Sequence, residues 1–361
     1  MSPWKRVLRV LSSMQVTMVC LLLLMAVVLL CTFDQVRLGA FAAVAKDIRS
    51  WALLWRPHPG GPAVPLFPGG ALLGSVLALN LAAALAARIS PAKRPGLWLA
   101  HAGVLLLVLG EFAAGLFAVE SRMALREGQT LDFTESSRRS ELAVISLSDP
   151  RYDEVFSVRE EALVRRGTLS HPAWPFSLKV REYHPNAVLE GGRARGVPRV
   201  SSDEEADQPA ALIEAEEGGR SLGSWLLSRA EPAQGRFSAG GREYLLSLRA
   251  ERHPLPFTLT LEDFKREVYP GTTIPKSFSS RVRLKDAAGG EDRGAIISMN
   301  NPLRHGGKSF YQASYGEDDR LSILQVVDNP GRLIPYAACL LASLGLLVHF
   351  AGVFFRREER A

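Results

Sequence analysis

The sequence has little cysteine. Three residues in 361, Cys20, Cys31 and Cys339, all lie inside apolar blocks, which excludes a disulfide framework or a C-x-x-C redox pair in the polar part of the chain. Phosphate-binding P-loop and metalloprotease signatures are also absent, so hydrolase and transferase chemistry has little support. The formal charge of +6 is spread along the chain. No helix-turn-helix, zinc finger or RNA-binding aromatic motif accompanies it, and no nucleic-acid partner is expected.

What the sequence does have is long apolar runs. A helix rising about 1.5 Å per residue needs about 20 such residues to cross a hydrocarbon core of roughly 30 Å. Residues 10–33, 70–87, 97–118 and 333–355 qualify, and they predict an α+β membrane protein with four transmembrane helices in a lipid bilayer. The first run is read as retained, being long and without a small-residue cleavage site. Residues 1–118 then form an N-terminal membrane region with three helices. Residues 119–332 form an extracytoplasmic domain between helices three and four, and 333–361 form the last helix and a short tail.

Lys5, Arg6 and Arg9 precede the first run, Arg88, Lys93 and Arg94 separate the second from the third, and Arg356, Arg357 and Arg360 follow the fourth. Basic residues favour the cytoplasmic flank, and with four crossings all three clusters fall on one side. Both termini are therefore expected in the cytoplasm and 119–332 outside it, in a multi-pass protein of a bacterial inner or plasma membrane. Trp51 and Trp55, in the connection 34–69, are expected at the membrane interface. His58, in the same connection, is expected to be solvated.

Between 119 and 332 the solid apolar runs give way to alternating stretches at 141–147, 177–183, 244–249, 257–268, 280–284, 295–299, 309–315 and 322–327. This is the period of strands with one buried face. Turn formers at 269–271, 288–290 and 305–307 separate several of them. The expectation is a mainly antiparallel β domain, a sandwich or an open barrel. Residues 190–209, rich in Gly, Ser and acidic side chains, predict a mobile loop.

The segments YPGTTIPKSFSSRVRL at 269–284 and MNNPLRHGGKSFYQASY at 299–315, with VDNPG at 327–331 leading to the last apolar run, resemble the ResB-type cytochrome c biogenesis proteins in their shorter form. The order of spans and domain resembles that family over nearly the whole chain. The resemblance implies a membrane subunit of a cytochrome c assembly system, handling haem and apocytochrome c with a multispanning haem-handling partner. In that family the partner bears the Trp-rich haem motif, and no such motif occurs in this sequence. An accessory subunit is implied, rather than an enzyme acting alone.

Ionisable residues within an apolar span are costly and mark function by default. His101 lies about four residues inside the cytoplasmic end of the third expected helix and His349 about six inside that of the fourth, depths that differ by about 3 Å. Two neutral imidazoles at one depth on neighbouring helices can take a haem iron from both faces. His101 and His349 are the candidate axial ligands of a haem b, with Arg88, Lys93, Arg94, Arg356 and Arg357 as candidate partners of its propionates. The alternatives are that each histidine ties helices together through a hydrogen bond, or that either pairs with a residue of the partner subunit. Glu111, about 15 Å beyond His101, lies on another face, and a protonated carboxyl hydrogen-bonded to Asn80 or to a partner helix is expected for it, with a proton-relay role as the alternative. Gly103, Gly110 and Gly115 would allow close helix approach.

His171, His184, His253 and His305 in the outer domain lack metal-like spacing, and the first three each precede proline, which suggests turns. Phe310, Tyr311 and Gln312 are read as core packing rather than a haem platform. Two other functions stay open: a membrane b-type electron-transfer cytochrome, and a haem-free structural scaffold for the assembly complex.

Overall fold

The computed structural model describes residues 3–55, 63–149, 152–199, 207–231, 233–316 and 319–358. They form two compact units, one gathering the chain up to Ala118 and from Asn329 onward, the other the intervening residues.

The first unit is helical. It opens with α1 (Pro3–Leu11) and α2 (Met14–Leu38), followed by the single turn α3 (Ala40–Ala43) and a five-residue π turn (Val44–Ile48). The hairpin of β1 (Ala52–Trp55) and β2 (Val64–Pro68) leads to α4 (Gly70–Ala87) and α5 (Pro95–Phe117). With the C-terminal helix Ile334–Glu358, this gives four helices among the described residues that are long and apolar enough to cross a bilayer. His58 lies outside the described residues.

The first apolar run is broken rather than continuous from residue 10, because Ser12 and Ser13 compete for the backbone. Ser13 Oγ caps α2 by accepting from the Gln15 amide at 3.3 Å, and Ser12 Oγ donates to Arg9 O at 3.3 Å. The carbonyls exposed at this break are taken up by α4. Asn80, buried, donates to Ser13 O at 3.0 Å and to Leu11 O, and accepts from Thr17 Oγ1 at 2.6 Å. Glu111 is exposed on α5, so the expected bond between it and Asn80 gives way to this peg across the α1–α2 junction.

The second unit is antiparallel throughout. It runs through β3 (Val119–Arg126), the 20-residue β4 (Thr130–Asp149), β5 (Tyr152–Arg159), the short helix α6 (Glu160–Arg165), β6 (Gly167–Leu169) and β7 (Ser177–His184). Then come β8 (Ala187–Glu190), β9 (Arg193–Gly196), β10 (Ala210–Glu217), β11 (Arg220–Ser228), β12 (Gly235–Ala239) and the 27-residue β13 (Arg242–Val268). The last strands are β14 (Pro275–Asp286), β15 (Glu291–Ser298), β16 (Leu303–His305), β17 (Lys308–Tyr315) and β18 (Leu321–Asp328), after which the C-terminal helix is α7.

One sheet has the order β15-β14-β13-β4-β3-β18-β17-β16, with β5 added on β4 and β12 on β13; a four-stranded sheet has the order β11-β10-β7-β6. Two apolar cores result. In one, Leu178, Ile213 and Leu227 of the small sheet pack with Leu142, Val144, Leu246 and Leu248 of β4 and β13. In the other, Met123, Leu259, Leu261, Val282, Ile297, Phe310 and Leu324 meet as the large sheet curls on itself. Burial of each such side chain contributes about 1.5–3 kcal/mol. The β4–β13 ladder is interrupted between Ala250 and Arg252 and between Pro254 and Leu259. Proline, which cannot donate to a ladder, sits at the second interruption.

Of the expected loop 190–209, residues 200–206 lie outside the described residues, and the part up to Gly196 is a hairpin. Gly191 and Gly192, at φ 57° and 76°, make a tight turn that pairs β8 with β9, Val188 opposite Arg195. Two successive left-handed positions match the strand twist, which is why a Gly-Gly pair serves here.

Candidate functional site

α5 and α7 pack antiparallel along a seam of small residues. A Cβ built on Gly96 would lie 2.3 Å from His349 N and 2.6 Å from Gly345 O, and one on Gly345 would lie 2.3 Å from Ala100 N. On Gly103 it would lie 2.7 Å from Ala338 O and from Ala342 N, and on Gly110 2.6 Å from Ile334 Cγ2. Backbone therefore meets backbone over most of the helix length, as small residues in apolar helices permit. Of the three glycines expected to act this way, Gly103 and Gly110 do, while Gly115 has nothing within 4 Å. Gly96 and Gly345 carry the tightest contacts and were visible in the sequence only as single glycines.

This register corrects the depth estimate for the two histidines. His349 stands level with Gly96, and His101 is a little over one turn further along α5, about 7.5 Å away at about 1.5 Å per residue. The expectation of about 3 Å measured each residue from a helix end, and α7 continues to Glu358, beyond the end assumed. His349 is in the seam itself, whereas His101 follows the seam residue Ala100. The seam has no space for a macrocycle, so a group held by both rings has to lie beside it. Side chains lean toward the N-terminus of their own helix, and in an antiparallel pair this tilts each ring toward the level of the other.

His101 is half-buried, and its Nδ1 is 2.8 Å from Leu97 O. A carbonyl only accepts, so Nδ1 carries the proton, and neutral His101 presents the Nε2 lone pair with no partner among the described residues. That is the arrangement in which a histidine serves as a metal ligand, its other nitrogen anchored by a backbone carbonyl. His349 is half-buried, with its ring 5.5 Å from that of Phe350. The donor chemistry on these two helices fits a haem iron.

The basic residues divide. Arg88 is committed to the α1–α2 junction, its Nε donating to Ser12 Oγ at 2.8 Å and its Nη2 to Arg9 O at 3.2 Å, so it is withdrawn as a propionate partner. Lys93 and Arg94 are exposed just before α5. Arg356 and Arg357 fall in the last turns of α7; their side chains lie outside the described residues.

The outer histidines have structural partners. His305 Nε2 is 3.0 Å from Asp286 Oδ2 and its Nδ1 3.2 Å from Glu291 Oε2, with the ring edge-on to Phe257. Asp286 also accepts from the Gly289 and Ala288 amides; the Gly289 bond first, and then His305, hold its carboxyl below the usual range. His171 packs between Phe156 and Trp174 and accepts from the Ala173 amide at 3.2 Å. His184 Nδ1 abuts Gly196, and His253 sits in the β13 ladder opposite Thr134. Phe310 is fully buried in the core, while Tyr311 is exposed. No group of three metal-binding side chains forms among the described residues.

One motif escaped the reading of the sequence: residues 219–223, GRSLG, have the letters of G-x-S-x-G. Ser221 sits in the β10–β11 hairpin and donates to Glu214 at 2.9 Å. This is not the strand-to-helix elbow that exposes a nucleophile.

Residues 242–323, β13 to the start of β18, match the model of the ResB-like family. Protein NrfI of Wolinella succinogenes is 39% identical over 94 residues, which cover 26% of this chain and 10% of NrfI. Cytochrome c biogenesis protein CcsB of a Synechococcus species is 37% identical over 81 residues, 22% of this chain and 18% of CcsB. The chain thus aligns with less than a fifth of either relative. The solved structure of cytochrome c heme lyase CcmF superposes on 91% of this chain and 33% of its own, at TM-score 0.23 and 14% identity, values too low to argue from.

Proposed function

From a chain whose β13–β18 region is a ResB-like segment, we propose a membrane subunit of a cytochrome c assembly system, handling haem and apocytochrome c beside a multispanning partner that performs attachment. The ResB-like match and the cytochrome c biogenesis protein among the relatives support the assembly role. The four apolar helices support membrane insertion. The basic flanks support cytoplasmic ends, which put the β unit outside the cytoplasm. On this reading the chain is an accessory subunit.

The observation that carries the haem reading is the His101 Nδ1 to Leu97 O bond, which leaves Nε2 as a lone pair on an apolar helix. His101 and His349 would hold the iron of a haem b through ring nitrogens, and Lys93, Arg94, Arg356 and Arg357, which flank the cytoplasmic ends of α5 and α7, would supply positive charge for its propionates. Protein purified from membranes with ample haem supply should show a low-spin b-type spectrum that His101→Ala or His349→Ala abolishes. A preparation that never takes up haem under those conditions overturns the ligand assignment.

The closed seam favours a second reading, in which the helices are a haem-free scaffold for the complex. Cytochrome c maturation that survives replacement of both histidines selects it.

A further inference from the structure

The connection between α2 and α4 contains a carboxylate that the haem reading leaves unused. Gly39, at φ 75°, turns the chain after α2, and α3 runs directly into the π turn Val44–Ile48. An extra residue in a helical turn re-aims side chains, and such turns recur at functional sites. Here the turn points Asp47 inward. Asp47 is 0% exposed, and no donor group among the described residues reaches either of its carboxylate oxygens within hydrogen-bonding distance, the Asp34 carboxylate beside it being an acceptor as well.

The elements packed against the turn are α2, α3, α4 and β1. Of these, α3, α4 and β1 contribute no ionisable side chain. The C-terminal half of α2 contributes Cys31, Asp34 and Arg37, and the turn with its cap contributes Lys46 and Arg49. Lys46 forms its close ion pair with Asp34, and its Nζ is 3.9 Å from Asp47 Oδ1. Arg37 and Arg49 are exposed. Two carboxylates therefore share one ammonium, leaving the cluster one positive charge short. A buried carboxylate without a donor is relieved by taking up a proton.

We propose that Asp34, Lys46 and Asp47 form a proton-binding site, in which the Asp47 carboxyl carries the proton and donates it to the Asp34 carboxylate while the Lys46 ammonium neutralises Asp34. Two carboxyl groups, one ammonium and one proton then balance to zero. Burial chiefly, together with the charge and hydrogen-bonding reach of Asp34, pushes Asp47 above the ordinary carboxylate value, and Lys46 opposes them. Loss of the proton sets two carboxylates in competition for Lys46, so the site is a pH-sensitive latch between the end of α2 and the lead into α4. It is independent of the histidines.

The test uses the full chain in nanodiscs. Infrared difference spectra should contain a protonated-carboxyl stretch that persists to higher pH than that of an ordinary carboxyl, shifts in D2O and disappears in Asp47→Asn. In Asp34→Asn, where Lys46 becomes available to Asp47, the band should be lost at lower pH than in the parent. Asp47 binds its proton more tightly folded than unfolded, so its contribution to stability is intact below the unfolded value and is lost as pH rises through the folded one. The melting temperature of the parent should therefore fall with rising pH more steeply than that of Asp47→Asn. A band unchanged by Asp47→Asn, equal pH slopes, or a site that loses the band when sodium is added each overturn the assignment.

Discussion

Gly96 of α5 lies against His349 of α7 so closely that a Cβ in place of its hydrogen would be 2.3 Å from the His349 amide nitrogen. The obstacle is backbone, which cannot swing aside, so Gly96→Val has to part the helices. Overpacking of this kind costs about 1–3 kcal/mol or more. Gly96→Val and Gly345→Val should each lower the melting temperature of the detergent-solubilised protein, while Gly115→Ala, with nothing within 4 Å, should leave it unchanged.

Asn80 is the peg of the α1–α2 break. Asn80→Leu keeps the approximate volume but strands the Leu11 and Ser13 carbonyls and the Thr17 hydroxyl. The loss should be about 1–3 kcal/mol. Thr17→Val should cost less than Asn80→Leu in the same thermal melts, since it leaves the carbonyl bonds in place. Equal losses would show that the carbonyls need no partner.

In the β unit, Glu141 of β4 is 2% exposed and accepts from Arg249 Nε of β13 at 2.9 Å and from Ser157 of β5. Glu141→Ala leaves a largely buried guanidinium without its counter-charge, and should cost about 3 kcal/mol. Glu141→Leu combined with Arg249→Met should recover most of that loss, measured as the midpoint of denaturant unfolding.

The Asp286 carboxyl is held low by the Gly289 amide and His305. A carboxyl depressed in the folded state contributes stability in full above its unfolded value, near 3.8, and loses it as pH falls through the folded value. Asp286→Asn should therefore melt below the parent at neutral and mildly acidic pH. That margin should close below about pH 4. A margin that persists there would mean the amide replaces none of what the carboxylate provides.

Much of this architecture can be read from residues alone. Long charge-free runs can be little else than apolar helices, and α4 occupies the residues expected of the second run. Alternation located the strands around Leu259, Val282 and Phe310, where every second side chain enters one core. The strands it missed include β3, β5 and β12, and also β10, β11 and the first half of β4, where alanine, serine and threonine at inward positions blunt the apolar signal; Ala211, Ala215 and Thr134 are buried all the same. The α1–α2 break was missed because two serines are a weak local signal that only Asn80 and Arg88, more than sixty residues away, make decisive. The histidines could be singled out as costly residues, but their relative depth depends on the register of two helices far apart in sequence.

β4 and β13 each run through both cores of the β unit, pairing from Tyr244 opposite Ser146 to Thr260 opposite Thr130. A fragment cut at the edges of the 242–323 match would keep β13 but discard β4, its neighbour from Tyr244 to Thr260. Such a piece would present a long raw edge and half of a greasy interior to solvent. Recombinant studies of this region should start upstream of Val119, so that both long strands travel together.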